Sequence, residues 1–183
     1  MTETPKYSVI KKDKNIELRR YQSYIKAEVT LSEKSYRKAV FKGFNILANY
    51  IFGNNIKSEN IEMTAPVAVS QSEKIAMTKP VTVSGDENYT VAFIMPSEYT
   101  LKSLPEPKDP SIRLNSIESH TMAVTEYSGY FREGKIKKAK SELTEWLEKE
   151  GIEIQGDFIV AGYNPPWVPG FLARNEVLVR VKA

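Results

Sequence analysis

A stretch near the start of the chain, Ile16–Ala27 (IELRRYQSYIKA), is echoed without a gap by Ile112–Ala123 (IRLNSIESHTMA). Both copies begin with isoleucine, carry leucine at the third position and end in alanine. Each copy predicts two short strands with a tight connection, and each is followed by a segment with helical periodicity. The echo therefore predicts two diverged copies of one structural unit.

Two segments have the spacing of apolar residues that is typical of amphipathic helices, roughly Glu33–Phe52 and Glu133–Glu150. Strands are predicted after the helices at Tyr89–Met95, Ile154–Tyr163 and Glu176–Val181. The predicted fold class is α+β, with duplicated β-β-α-β-β halves that form a distorted antiparallel β-barrel or sheet with two helices packed on it. We expect one domain over 1–183, with pseudo-symmetric halves at about 1–100 and 101–183.

A shorter repeat lies between the first helix and the next predicted strand. Ile61–Ser70 (IEMTAPVAVS) resembles Ile75–Ser84 (IAMTKPVTVS), and apolar residues alternate in both copies. Alternation predicts two strands of a hairpin, with Met63 and Met77 packed in the core. The proline in each copy cannot donate a ladder hydrogen bond, which predicts a sheet edge or a bulge there.

The composition is that of an ordinary globular domain, and it excludes several kinds of site. Of 183 residues, 41% are hydrophobic and 27% charged, and the formal charge is only +3, so no nucleic-acid partner is expected. The chain has no cysteine, which excludes disulfides, thiolate ligands and cysteine nucleophiles. It has neither a signal-peptide pattern nor an apolar run that could span a membrane, so we expect a cytoplasmic protein, and we favour a monomer.

The first predicted helix carries more apolar surface than a helix needs to cover a sheet. Its core stripe consists of Tyr36, Val40, Leu47 and Ile51. A second apolar stripe beside it consists of Phe41, Phe44, Ala48 and Phe52. The second stripe requires a partner of its own, either a loop of the same chain or a flat apolar ligand.

A stiff aromatic loop is predicted at Tyr163–Phe171, where three prolines fall within five positions. It carries Trp167 and Phe171. These two aromatic side chains either cap the core or form the wall of a pocket over the first helix.

Six groups of residues occur in a characteristic order: Lys6–Lys12 with Ile16–Tyr21, Asn49–Asn54, Ile61–Val67, Met95–Tyr99, Ala161–Trp167 and Arg174–Val177. Together they resemble the SOUL haem-binding family over nearly the whole chain. The resemblance implies two pseudo-symmetric halves and non-covalent binding of haem, or of a related flat hydrophobic tetrapyrrole, in an apolar groove beside the first helix.

The resemblance also implies a set of ligand-binding residues. A porphyrin is an apolar disc with two carboxylates, so its site needs apolar walls and nearby cations. Phe41, Phe44 and Ala48, with Trp167 and Phe171, are the predicted walls. The predicted cation is Arg37, Lys38 or Lys42.

Histidine is the usual axial ligand of haem iron. Some family members have a histidine where this chain has Arg20, which cannot ligate iron. The single histidine, His120, is therefore the candidate axial ligand, and the alternative is a hydrogen-bonded residue near a strand turn. No metal site is predicted.

A second function is suggested by a resemblance to GyrI-like effector-binding domains, which bind drug-like molecules and in some members hydrolyse them. Those domains place a glutamate before an isoleucine or valine on the last strand, and Glu176-Val177 matches that step. Alternation on this strand predicts that Glu176 faces away from the valines, toward a groove. There it would act as a general acid or base with Tyr163, or as a structural carboxylate paired with an arginine or tyrosine.

A third hypothesis is a protein-interaction module, in which the second apolar stripe of the first helix meets a partner protein. No feature of the sequence requires it.

Overall fold

The computed structural model describes residues 3–33, 35–71, 87–129, 132–163, 169 and 173–182. The strands and helices in these ranges are β1 (Tyr7–Asp13), β2 (Ile16–Tyr21), β3 (Tyr24–Glu33), α1 (Tyr36–Ile51), β4 (Val67–Gln71), β5 (Glu87–Ile94), β6 (Arg113–Ile117), β7 (His120–Ser128), α2 (Glu133–Glu150), β8 (Glu153–Ile154), β9 (Ile159–Gly162) and β10 (Arg174–Lys182).

The strands form one antiparallel sheet in the order β1-β2-β7-β10-β9-β4-β5-β3-β6, and β8 pairs with β10. The two halves exchange strands within the sheet: β2 of the first half pairs with β7 of the second, and β6 of the second half pairs with β3 of the first. Tyr21 lies opposite His120, and Tyr24 lies opposite Ile117, so the two registers are equivalent under the sequence repeat. The predicted fold class of duplicated halves is confirmed, with an open sheet rather than a closed barrel.

The helices cover one face of this sheet. Helix α1 packs on β3 and β5, and its residues Leu47 and Ile51 are buried with Val29 and Val91. Helix α1 lies so close to β5 that position 43 must be glycine, since a Cβ there would lie 2.5 Å from the Val91 side chain. Neither helix is long and apolar enough to cross a membrane, among the residues the structure describes.

Helix α2 packs on β7 and β10, where Leu143 and Leu147 join Val177 and Val179 in a second core. Its bounds agree with the predicted ones. The helix ends at Gly151, which adopts the left-handed conformation (φ 68°) that favours glycine.

Two predictions about the first half are wrong in detail. Helix α1 begins at Tyr36 rather than Glu33, because β3 continues to Glu33 and Ser35 caps the helix through its side chain. The strand expected from Ile61 begins only at Val67, and Met63 is 38% exposed rather than in the core. The second copy of the short repeat, with Met77, lies outside the described residues.

The face of the sheet turned away from the helices, here called the helix-free face, has its own apolar cluster. Its buried residues are Tyr21, Met122, Val124, Ala161 and Leu178. On β10 the valines face α2, while Leu178 faces the other way. Functional side chains can therefore lie on two sides of the sheet.

Candidate functional site

The outer face of α1 presents an aromatic side chain beside cations. Phe41 is 70% exposed, and Arg37 and Lys38 precede it by four and three positions, so all three share one face of the helix. Arg37 and Lys38 are exposed and form no ion pair with the described part of the chain. This patch (Arg37, Lys38 and Phe41), here called the α1 patch, offers apolar area and positive charge together.

The second apolar stripe of α1 is divided between surface and interior. Phe44 packs edge-on against Phe93, with ring centroids 5.3 Å apart, and Ala48 is buried. Phe52, at the helix end, is 65% exposed. The structure therefore leaves Phe41 and Phe52 to solvent and uses Phe44 and Ala48 to complete the core. Trp167 and Phe171 lie outside the described residues.

On the helix-free face, Glu176 is a fully buried carboxylate with three side-chain donors. Arg19 donates to it at 3.0 Å, Arg174 at 2.8 Å and the Tyr163 hydroxyl at 2.5 Å. Arg174 and Tyr163 are the kinds of partner that the sequence predicts. Arg19 comes from β2 and reaches Glu176 because β2 pairs with β7, next to β10.

The electrostatics of this network follow from burial and from the carboxylate. Burial opposes the charge on Arg19, but Glu176, Tyr21 and Glu17 together outweigh that cost, so the pKa of Arg19 lies above its ordinary value. Burial and Glu176 also raise the pKa of Tyr163. The Arg19 guanidinium stacks over the Tyr7 ring at 4.4 Å. Because two guanidiniums and a phenol occupy the oxygens of Glu176, the geometry fits a structural ion-pair network.

His120 begins β7 and lies on the same face of the sheet. Its Nδ1 is 2.7 Å from the Glu118 carbonyl oxygen, which can only accept, so Nδ1 carries the proton. Burial lowers the pKa of His120, and the neutral ring keeps a lone pair on Nε2. The ring stacks on Tyr21 and tilts against Tyr24, with centroid distances of 5.8 Å to each.

Similarity to known proteins shows the family of the chain. The sequence model of the SOUL heme-binding protein family matches residues 2–180. The chain belongs to the SOUL family. Heme-binding protein 1 of Xenopus laevis is 31% identical over 155 residues, with 84% of this chain and 76% of that protein covered. The mouse protein of the same name is 29% identical over 152 residues, covering 82% and 76%.

The fold is shared more widely than the SOUL sequence. The C-terminal domain of EcmrR superposes with a TM-score of 0.69 over 96% of this chain and 98% of that domain, at 11% identity. At that identity the likeness shows the fold alone.

The predicted site residues of this SOUL-family chain fall into two groups on opposite faces of the sheet. Arg37, Lys38 and Phe41 lie on the helix side, and His120, Tyr163 and Glu176 lie on the helix-free face. The structure thus brings His120 together with Tyr163 and Glu176 rather than with the α1 patch. A haem on the outer surface of α1 would be out of reach of His120.

Sequence reasoning missed several residues of the helix-free face, namely Arg19, Tyr21, Tyr24, Met122 and Leu178. The alternation on β10 could have indicated Leu178, which lies two positions from Glu176. The other four come from β2, β3 and β7. They lie on one face together because strands of one half pair with strands of the other.

Proposed function

We propose that the protein binds haem, or a related flat hydrophobic tetrapyrrole, reversibly and without a covalent bond on the outer face of α1. The observation that carries the proposal is Phe41, a phenylalanine 70% exposed beside two cations that have no partner in the described part of the chain. Exposed apolar surface with polar or charged residues at its edge is typical of ligand-binding surfaces. Membership of a haem-binding family supplies the class of ligand.

The chemistry of the patch fits a porphyrin. The ring of Phe41 would pack on the face of the disc, and covering such a side chain contributes roughly 1.5–3 kcal/mol. Arg37 and Lys38 would meet the two propionate carboxylates, which a guanidinium and an ammonium pair with readily. Haem would supply the iron chemistry when bound, and no protein group on this face is assigned as an axial ligand.

Titration of the purified protein with hemin, followed by the Soret band, tests the proposal. We expect Phe41→Ala to raise the dissociation constant roughly tenfold, since about 1.4 kcal/mol of lost burial corresponds to that factor. The double substitution Arg37→Glu with Lys38→Glu should weaken binding further at low salt, and less so at high salt.

Ile10→Ala is a matched control, because Ile10 is a 51% exposed apolar residue on β1, which pairs with β2 rather than with the strands under α1. It should leave the titration unchanged. If Phe41→Ala and the double charge reversal both bind hemin as the parent protein does, the α1 patch is not the site.

A further inference from the structure

The helix-free face contains a small cavity that adjoins a wider cleft. The inner cavity has a volume of about 50 Å³ and is bordered by His120, Met122 and Leu178. The cleft, of about 690 Å³, lies between the segment 3–6, the connection after β2 and the segment 94–102. Tyr24, Ile94 and Pro5 line both spaces, so the two spaces meet at these residues.

The sizes suit a small organic molecule. One water needs roughly 10–15 Å³ of such volume, so the inner cavity accepts several non-hydrogen atoms. The cleft has the volume of an ordinary ligand site, roughly 300–1,000 Å³. A molecule that places a few of its ring atoms in the cavity can extend the rest of its structure into the cleft.

The lining of the inner cavity is aromatic and aliphatic, and it contains no charged side chain among the residues the structure describes. Entry of an ion would cost its hydration with no opposite charge to replace it. The Tyr21 and Tyr24 rings offer surfaces for stacking. These walls favour a neutral, planar, aromatic occupant.

The lining contains one imidazole, that of His120. Because His120 Nδ1 donates to the Glu118 carbonyl, the ring is fixed in orientation and Nε2 is an acceptor. Nε2 accepts no hydrogen bond from the described residues, although His120 is only 8% exposed. Because Nε2 keeps contact with solvent, a water or the N–H or O–H group of a ligand can donate to it.

We propose that the inner cavity and the adjoining cleft form a second ligand site, for a neutral planar aromatic molecule whose ring N–H or hydroxyl group donates to His120 Nε2. The site lies across the sheet from the α1 patch and does not depend on haem binding there. His120 selects the ligand through its hydrogen bond, and the surrounding rings and aliphatic side chains supply the contact area.

Indole and 1-methylindole form a suitable pair of probes, because they share a ring system and differ in the N–H group. Their affinities can be measured by calorimetry and by the ¹⁵N chemical shift of His120 Nε2. We expect indole to bind roughly 3–10-fold more tightly than 1-methylindole and to move the Nε2 resonance. His120→Phe keeps an aromatic ring without the acceptor, so both probes should bind it equally.

A cavity-filling variant tests the location without altering His120. Ala68 lines the inner cavity, and Ala68→Leu should abolish indole binding while hemin titration stays unchanged. Phe41→Ala serves as the opposite control and should leave indole binding as it is. The proposal is overturned if indole fails to bind at millimolar concentration, if 1-methylindole binds equally well, or if Ala68→Leu binds indole normally.

Discussion

The two halves of the molecule share one backbone plan, yet equivalent positions in the two halves have different chemistry. In the first half, Thr30 and Thr90 face each other across β3 and β5, and their hydroxyl groups are 3.0 Å apart. In the second half the equivalent cross-strand pair is Glu126 with Glu176, and Glu176 is the centre of a buried ion-pair network. The duplication thus preserved the register of the strands while the chemistry of equivalent positions diverged.

The helices differ in the same way. The aromatic residue of α2, Trp146, is 7% exposed and its Nε1 donates to Asp13 at the end of β1. On α1, by contrast, Phe41 remains on the surface. Strand β1, which has no counterpart beside β6 in the described part of the chain, supplies the acceptor for Trp146. Its residue Asp13 accepts the hydrogen bond from Trp146 of α2, and the ring of its residue Tyr7 packs against the Arg19 guanidinium.

The largest expected effect is the loss of the Glu176 carboxylate. Glu176→Ala removes the carboxylate that pairs with both Arg19 and Arg174 and leaves Arg19 with Glu17 as its remaining counter-ion. This should lower the free energy of unfolding by about 3 kcal/mol, the lower end of the range for a broken buried ion pair. The equivalent change in the first half, Thr90→Ala, removes one hydroxyl pair and should cost about 1 kcal/mol. Urea unfolding followed by circular dichroism measures both, and equal losses would show that the second half does not depend on this network.

A smaller effect is expected where β1 covers α2. Trp146→Phe removes the hydrogen bond to Asp13 and leaves a gap, at a cost of about 1–3 kcal/mol. Phe41→Ala, on the uncovered helix, should change stability by no more than about 0.5 kcal/mol. Thermal unfolding of the two variants makes the comparison, and a large loss for Phe41→Ala would mean that the α1 patch has a structural partner.

Much of the fold could be predicted from the sequence because its signals are local. The echo of Ile16–Ala27 in Ile112–Ala123 predicts strand pairs at both places, and the structure has β2 with β3 and β6 with β7 there. Helix α2 has a clear apolar stripe and a terminal glycine, so both of its ends are predicted. The alternation on β10 correctly separates Glu176 from the valines.

What could not be predicted depends on contacts between distant parts of the chain. A two-residue connection after β2 gives no sign that β2 pairs with β7 instead of β3, and this pairing is what brings Arg19 to Glu176. The pattern at Ile61–Ala65 alternates like a strand, but Ile61 donates its backbone N–H to Ile51 at the end of α1. Phe41 and Phe44 are the same residue type on the same predicted stripe, and the packing of Phe44 against Phe93 is what distinguishes them in the structure.

The smallest expected effect is a pH dependence of stability. His120 should cause it, whereas its first-half counterpart, Tyr24, should not. Burial lowers the folded-state pKa of His120 below 6.5, with a raising effect from the Glu118 carbonyl and a lowering effect from Arg180. The unfolded chain therefore binds the proton more readily, so the free energy of unfolding should fall as pH drops from above 6.5 through the folded pKa, and level off below it. Burial raises the pKa of Tyr24, which stays neutral throughout this range.

Urea unfolding between about pH 8 and 5 tests this pH dependence. The chain has one histidine, so His120→Phe removes the only side chain that ordinarily titrates in this range. If the parent protein and His120→Phe show the same pH profile, His120 is not held in its neutral form by the fold, and Nε2 loses its role as a permanent acceptor on the helix-free face.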